Sequence, residues 1–178
     1  IPDWRLPDDV LERLRDNYDR LLAANRGVEG ASEDFMVGAH VESKNAMGVR
    51  GMPELLEVIR LPEILDMVEQ VAGPDLVLWG TTVFGKPAGT GKATPWHQDG
   101  PYYFVDGIQN VSFWSPMDAV KDAGLRCVAG SHAWDKPVLP TRWLAESSFY
   151  PNEDDYMPVP DPDAEGMDIR EWAMEPGD

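Results

Sequence analysis

Apolar residues recur at helical spacing over residues 6–27, where Val10, Leu11, Leu14, Tyr18, Leu21 and Leu22 fall on one stripe. Pro7 suits a first helical position, Asp8 and Asp9 follow where the helix dipole favours negative charge, and Asn25-Arg26-Gly27 supplies a stop. The pattern predicts a helix that packs one face against a sheet. Residues 30–51 are irregular and polar, with Phe35, Met36, Val37 and His40 as core candidates. Residues 53–71 predict two short helices. Leu55, Leu56 and Ile59 line the first; Pro62 opens the second, which would bury Ile64, Leu65, Met67, Val68 and Val71 before Gly73-Pro74 halts it.

From Leu76 the period changes. Residues 76–84 are rich in β-branched and aromatic side chains and predict a strand, as do residues 111–114, 125–128 and 169–174. Residues 86–92 carry three glycines or alanines among lysines, but no Gly-Lys-Ser/Thr ending and no following helix pattern, so they form a loop and not a phosphate cradle. Asp122-Ala123-Gly124 and residues 175–178 read as turns. Residues 133–166 lack periodicity and hold Trp134, Trp143, Phe149, Tyr150 and Tyr156, which as a segment predicts a substrate lid. The whole is a mainly β, α+β chain forming one domain over residues 1–178, with a helical part (1–73) and a sheet part (74–178). A turn reverses a chain into something, so the turn at residues 175–178 leads us to expect further strands beyond Asp178.

Composition narrows the function classes. The 178 residues are 43% hydrophobic and include seven Trp, which fits one globular domain. A net charge of −17 and a pI near 4.4 argue against nucleic acid or an anionic membrane as partner. One cysteine, Cys127, permits no internal disulfide and fits a reducing compartment, so a cytoplasmic location is expected. No apolar run reaches membrane-spanning length and no signal-peptide pattern occurs.

The chemistry concentrates in residues 94–103, Thr-Pro-Trp-His-Gln-Asp-Gly-Pro-Tyr-Tyr. In an extended segment His97 and Asp99, two positions apart, project the same way. An imidazole and a carboxylate side by side make two corners of a coordination sphere, a donor pairing suited to Fe(II) held by two histidines and one carboxylate. Gly100-Pro101 then turns the chain, placing both donors at the mouth of a strand.

The segment Trp96-His97-Gln98-Asp99-Gly100, followed by Phe113-Trp114 and by Gly124-Leu125-Arg126-Cys127-Val128-Ala129-Gly130-Ser131-His132, resembles the phytanoyl-CoA dioxygenase family over residues 61–178. The resemblance implies a double-stranded β-helix (jelly-roll, cupin-like) core with the N-terminal helices against one sheet. It implies an Fe(II)- and 2-oxoglutarate-dependent dioxygenase that uses O2 to hydroxylate a C–H bond of a small molecule, releasing succinate and CO2. His97 and Asp99 would be metal ligands. The third ligand, a His, and an Arg for the distal carboxylate of 2-oxoglutarate would lie beyond Asp178, so the chain as given would lack a complete site. Trp114 would pack near the co-substrate, or else be a core tryptophan; Thr82, Gln98 and Lys44 are further candidates for contacting it. His132 corresponds to a turn histidine that is not a ligand in the family and reads as structural. Because Asp99 fills the position that related halogenases leave open for halide, hydroxylation or a related desaturation is favoured over halogenation. An alternative is a non-catalytic jelly-roll binding protein lacking a complete metal triad. A zinc hydrolase ranks last, since no glutamate base stands beside the ligands. The acidic surface disfavours highly anionic substrates such as CoA thioesters, although Lys86, Lys92 and Arg126 provide local positive charge.

Overall fold

Our computed structural model describes residues 3–28, 35–45, 48–86, 89, 94–103, 109–121, 124–139 and 153–178. Within the expected lid, Trp143, Phe149 and Tyr150 lie outside the described residues, as do Lys92 of the glycine-containing loop and Asp122-Ala123 of the expected turn. The chain divides into two compact units, one of residues 1–92, 111–119 and 175–178, the other of residues 93–110 and 120–174. Helix and strand are mixed, as the sequence pattern implied.

The first unit is built on α1 (Asp8–Ala24). Pro7 precedes the helix rather than opening it: its ψ of 140° is extended, while its carbonyl accepts from Leu11 N–H at 3.0 Å. Asp8 and Asp9 occupy the first turn, and Asn25 closes the last. Asn25 is buried and fully used. Its Nδ2 donates to Leu21 O at 2.9 Å and to Arg50 O at 2.7 Å, while its Oδ1 accepts from Arg50 N–H at 2.8 Å. This joins the helix end to the chain entering the next helices without leaving a buried polar atom unpaired. The apolar stripe faces two clusters. Leu21 packs with Met36, Ala39, Met52 and Leu55, and Val10 and Leu11 pack with Leu6 and Ile64. Each fully buried leucine contributes about 1.5–3 kcal/mol by leaving water.

Pro53–Leu55 is a single 3-10 turn running into α2 (Leu56–Ile59), and α3 spans Pro62–Ala72. Only Ile64 of α3 is buried, with Met67 and Val68 packed partly against its cluster. The expectation that Leu65 and Val71 are buried fails: they are 40% and 58% exposed. Leu65 sits about 100° around the helix from Ile64, and Val71 lies in the last turn, beyond the cluster that covers the first two turns. β1 (Phe35–Val37) pairs antiparallel with β2 (Thr82–Phe84), with Val37 opposite Thr82. The predicted strand 76–84 thus shortens to three residues, because β1 offers a partner to that many; Leu76, Val77, Leu78 and Trp79 are exposed outside any ladder of the described residues. Residues 111–114 likewise lie outside any ladder of the described residues. Phe113 meets Trp4 edge-on at 6.2 Å. The turn at residues 175–178 forms as expected and is held from both sides, Leu6 N–H donating to Gly177 O at 2.7 Å and Gly177 N–H to Pro116 O at 2.8 Å.

The second unit holds β3 (Arg126–Val128) antiparallel to β4 (Ile169–Glu171), with Arg126 opposite Glu171. An isolated bridge between Val120 and Met174 extends this pairing, and another joins Val138 to Met157. Gly124 sits between the first bridge and the ladder. A Cβ there would stand 2.5 Å from Trp172 O, so only glycine allows this approach. Among the described residues, no helix is long and apolar enough to cross a membrane.

Candidate metal site

The second unit carries the His97–Asp99 pair. Residues 94–98 run outside any ladder of the described residues and alternate in exposure: Trp96 and Gln98 are half-buried, while His97 and Asp99 are exposed. The strand expected around them is not formed. Asp99 has helical backbone (φ −71°, ψ −37°) and precedes the 3-10 turn Gly100–Tyr102. Tyr102 N–H donates to Asp99 O at 2.9 Å and Tyr103 N–H to Gly100 O at 3.0 Å. Pro101 suits this turn because a first-turn residue needs no N–H partner and its φ is preset.

The two side chains nonetheless converge. His97 Nε2 stands 3.3 Å from Asp99 Oδ1, with the side chains 35% and 51% exposed. Neighbouring donors on one metal, at bonds of about 2.1 Å and right angles, stand roughly 3.0 Å apart, so this spacing fits two adjacent corners of a coordination sphere. His97 Nδ1 lies 2.8 Å from Pro95 O. A carbonyl only accepts, so Nδ1 carries the proton and Nε2 is the nitrogen left to receive a proton or a metal. Ligating histidines are oriented by that kind of backbone contact. The hydrogen bond to Asp99 raises the His97 pKa above its ordinary value, partial burial opposes the rise, and the Pro95 carbonyl and the Asp99 charge add to it. Tyr102 meets the imidazole edge-on at 6.0 Å.

The opposite side of the segment is anchored. Gln98 Nε2 donates to Ser131 O at 3.0 Å, and its Oε1 accepts from Val138 N–H at 2.8 Å. The Arg126 guanidinium lies over the Trp96 ring, 5.2 Å from its centre, and pairs with Asp163 at 2.7 Å and with Glu171 at 3.7 Å. Sequence reasoning treated Arg126 only as local positive charge and Gln98 as a co-substrate contact. The signal for the anchoring role of Gln98 was the period-2 alternation itself, since side chains flanking two outward donors must point into the unit.

Other expected positions are placed as follows. His132 is exposed in the 3-10 turn Ser131–Ala133, after Gly130 at φ +79°. Among the described residues no cluster of three His, Cys, Asp or Glu side chains could hold a metal ion, so they supply a pair and not a triad. Cys127 lies close enough to Asp99 to feel its charge; burial first, then that charge, pushes its thiol pKa up. Trp114, Thr82 and Lys44 belong to the first unit. Trp114 is half-buried; Lys44 is exposed; Thr82 is on the exposed side of β2. It is the preceding residue, Thr81, whose Oγ1 meets His40 Nδ1 at 2.8 Å.

The described residues thus bring together a nitrogen and an oxygen donor at coordination spacing, on a segment fastened from behind. The family profile for phytanoyl-CoA dioxygenase (PhyH) matches residues 2–178, and the chain belongs to that family. It is 29% identical over 126 residues to the peroxisomal phytanoyl-CoA dioxygenase of Bos taurus, covering 64% of this chain and 37% of that protein. The Mus musculus protein of the same name matches at the same identity and coverage. The Homo sapiens protein is 27% identical over 128 residues, covering 65% of this chain and 38% of its own. The chain thus spans well under two thirds of the length of these relatives. No solved structure matches it significantly.

Proposed function

We propose that this chain is part of an Fe(II)- and 2-oxoglutarate-dependent oxygenase that hydroxylates a C–H bond of a small molecule and releases succinate and CO2. The observation that carries the reading is the 3.3 Å approach of His97 Nε2 to Asp99 Oδ1, with Nδ1 tied to Pro95 O. Membership of a family whose named relatives are dioxygenases supports it. Bound iron would supply the oxidation of 2-oxoglutarate by O2 and the hydroxylation coupled to it. His97 and Asp99 would hold that iron from one side, Asp99 filling the position a halide would otherwise take. Trp114, Thr82 and Lys44 stand as proposed co-substrate contacts. A jelly-roll core, to which the two short antiparallel pairings would belong, is the proposed architecture of the whole protein, with the third ligand, a His, and the 2-oxoglutarate Arg beyond Asp178.

The substrate is proposed as a small molecule, neither nucleic acid nor membrane, on the strength of the −17 net charge. The named relatives are peroxisomal proteins. The single thiol fits the cytoplasm and does not choose between the two compartments. A second reading, a non-catalytic binding protein, draws on the absence of a third donor among the described residues. Anaerobic addition of Fe(II) and then 2-oxoglutarate to the full-length protein decides between them. The oxygenase develops a visible metal-to-ligand charge-transfer band that Asp99→Ala abolishes; no band leaves the binding protein.

A further inference from the structure

We infer that Gln98 is the positioning residue of the His97–Asp99 pair, its amide bridging two backbone points so that both donors keep their mutual distance. The inference rests on the metal-site reading above. Residues 94–98 have no ladder among the described residues, so side chains must hold the segment. Gln98 lies between the two donors and points the other way. It donates to Ser131 O at 3.0 Å and accepts from Val138 N–H at 2.8 Å.

Both anchor points are themselves fixed. Ser131 follows the left-handed Gly130 and begins a 3-10 turn closed by Ala133 N–H to Gly130 O at 3.0 Å. Val138 is buried and bridges Met157, with Leu139 N–H to Met157 O at 2.8 Å and Met157 N–H to Pro137 O at 2.9 Å. On the other side of His97, Trp96 is covered by Arg126, which Asp163 and Glu171 hold. His97 is therefore clamped between two inward neighbours.

The residue type follows from the bonds. A primary amide offers a donor nitrogen and a separate acceptor oxygen at one side-chain end. Glutamate keeps the acceptor for Val138 but sets a carboxylate against the Ser131 carbonyl. Asparagine is one methylene too short to span both. Methionine fills the same volume and makes neither bond.

The test compares Co(II) affinity of the full-length protein with those of Gln98→Met, Gln98→Glu and His97→Ala. Partners that orient metal ligands typically change affinity by about 10–100-fold. Gln98→Met is expected to bind about tenfold more weakly or worse, Gln98→Glu to fall between, and Val138 N–H to exchange faster in metal-free Gln98→Met, which alone lacks its acceptor. Leu21→Ala, destabilised in the other unit, serves as control: it lowers the unfolding midpoint yet keeps the affinity, which separates positioning from general stability. Affinity unchanged in Gln98→Met overturns the inference alone. Wild-type affinity no better than that of His97→Ala overturns it together with the metal-site reading. Should Gln98→Met fail to fold, Gln98→Glu decides by the same comparison.

Discussion

Gly124→Ala tests whether the second unit is packed as described. The added Cβ would meet Trp172 O at 2.5 Å, against roughly 3.5 Å for an ordinary contact. The obstacle is backbone, so the chain must open by about 1 Å. Beside it, Val120 N–H donates to Met174 O at 2.8 Å and Met174 N–H to Val120 O at 2.9 Å. An opening of that size carries both bonds beyond the usual range of about 2.7–3.2 Å. Two weakened bonds are worth about 1 kcal/mol each, and residual crowding adds about 1–3 kcal/mol. A total near 3–5 kcal/mol lowers the midpoint of a chain this size by about 6–20 °C. The control is Gly80→Ala, where a Cβ meets nothing within 4 Å; it should lie within about 1 kcal/mol of wild type, on the stabilising side. Thermal and urea unfolding of the two variants side by side give the comparison. Equal midpoints would refute the close approach, and with it the explanation of why a glycine opens the Gly124–His132 motif.

Three further outcomes are expected. In the metal-free protein, NMR titration of His97 should give a midpoint above its ordinary 6.5, and Asp99→Asn should lower it. Because the folded pKa is raised, the imidazolium's contribution to stability is complete below the unfolded value and is lost as pH rises through the folded one; a midpoint at or below 6.5 contradicts the contact. Cys127, its thiol pKa pushed up by burial and then by Asp99, should react with iodoacetamide at neutral pH more slowly than an unstructured cysteine; a faster rate counts against that environment. Leu21→Ala should cost about 2–5 kcal/mol in urea unfolding, whereas Leu65→Ala, at a 40% exposed position, should cost less than about 1 kcal/mol; similar losses would show that α3 buries the face the sequence implied.

What could be read from the sequence was what depends on near neighbours. The α1 stripe is set by residues three and four apart, and the stop at Asn25 uses Leu21, one turn back. Pro53 and Pro62 begin their helices for the same local reason. Strand lengths depend on distant partners. Residues 76–81 have the composition of a strand, yet pairing begins only at Thr82, where Val37 stands opposite. Leu65 and Val71 carried the hydrophobicity of buried residues, but burial requires something to cover them, and one sequence window does not contain that. The meeting of His97 and Asp99 was legible because their spacing is two residues. The same spacing turns Gln98 the other way but does not say toward which partners, since these lie 33 and 40 residues away.

One physical point separates a metal pair from an ordinary exposed ion pair. An ion pair of His97 and Asp99 needs the imidazolium, whose Nε2–H donates to Oδ1. With Nδ1–H held by the Pro95 carbonyl, that Nε2 proton is the one that can leave, and what it leaves is a lone pair facing a carboxylate oxygen across 3.3 Å. A cation bound by both atoms would take the proton's place, standing to one side of the line between Nε2 and Oδ1, so the imidazole must turn to aim its lone pair at it. The contact that stabilises the proton also provides the donor spacing a metal requires, so the two ligands compete for one place. An ion pair that served only to fasten the chain would not need Pro95 to select the tautomer, nor anchors on both neighbours of His97. That combination, more than the distance alone, is why the pair reads as half of a metal centre.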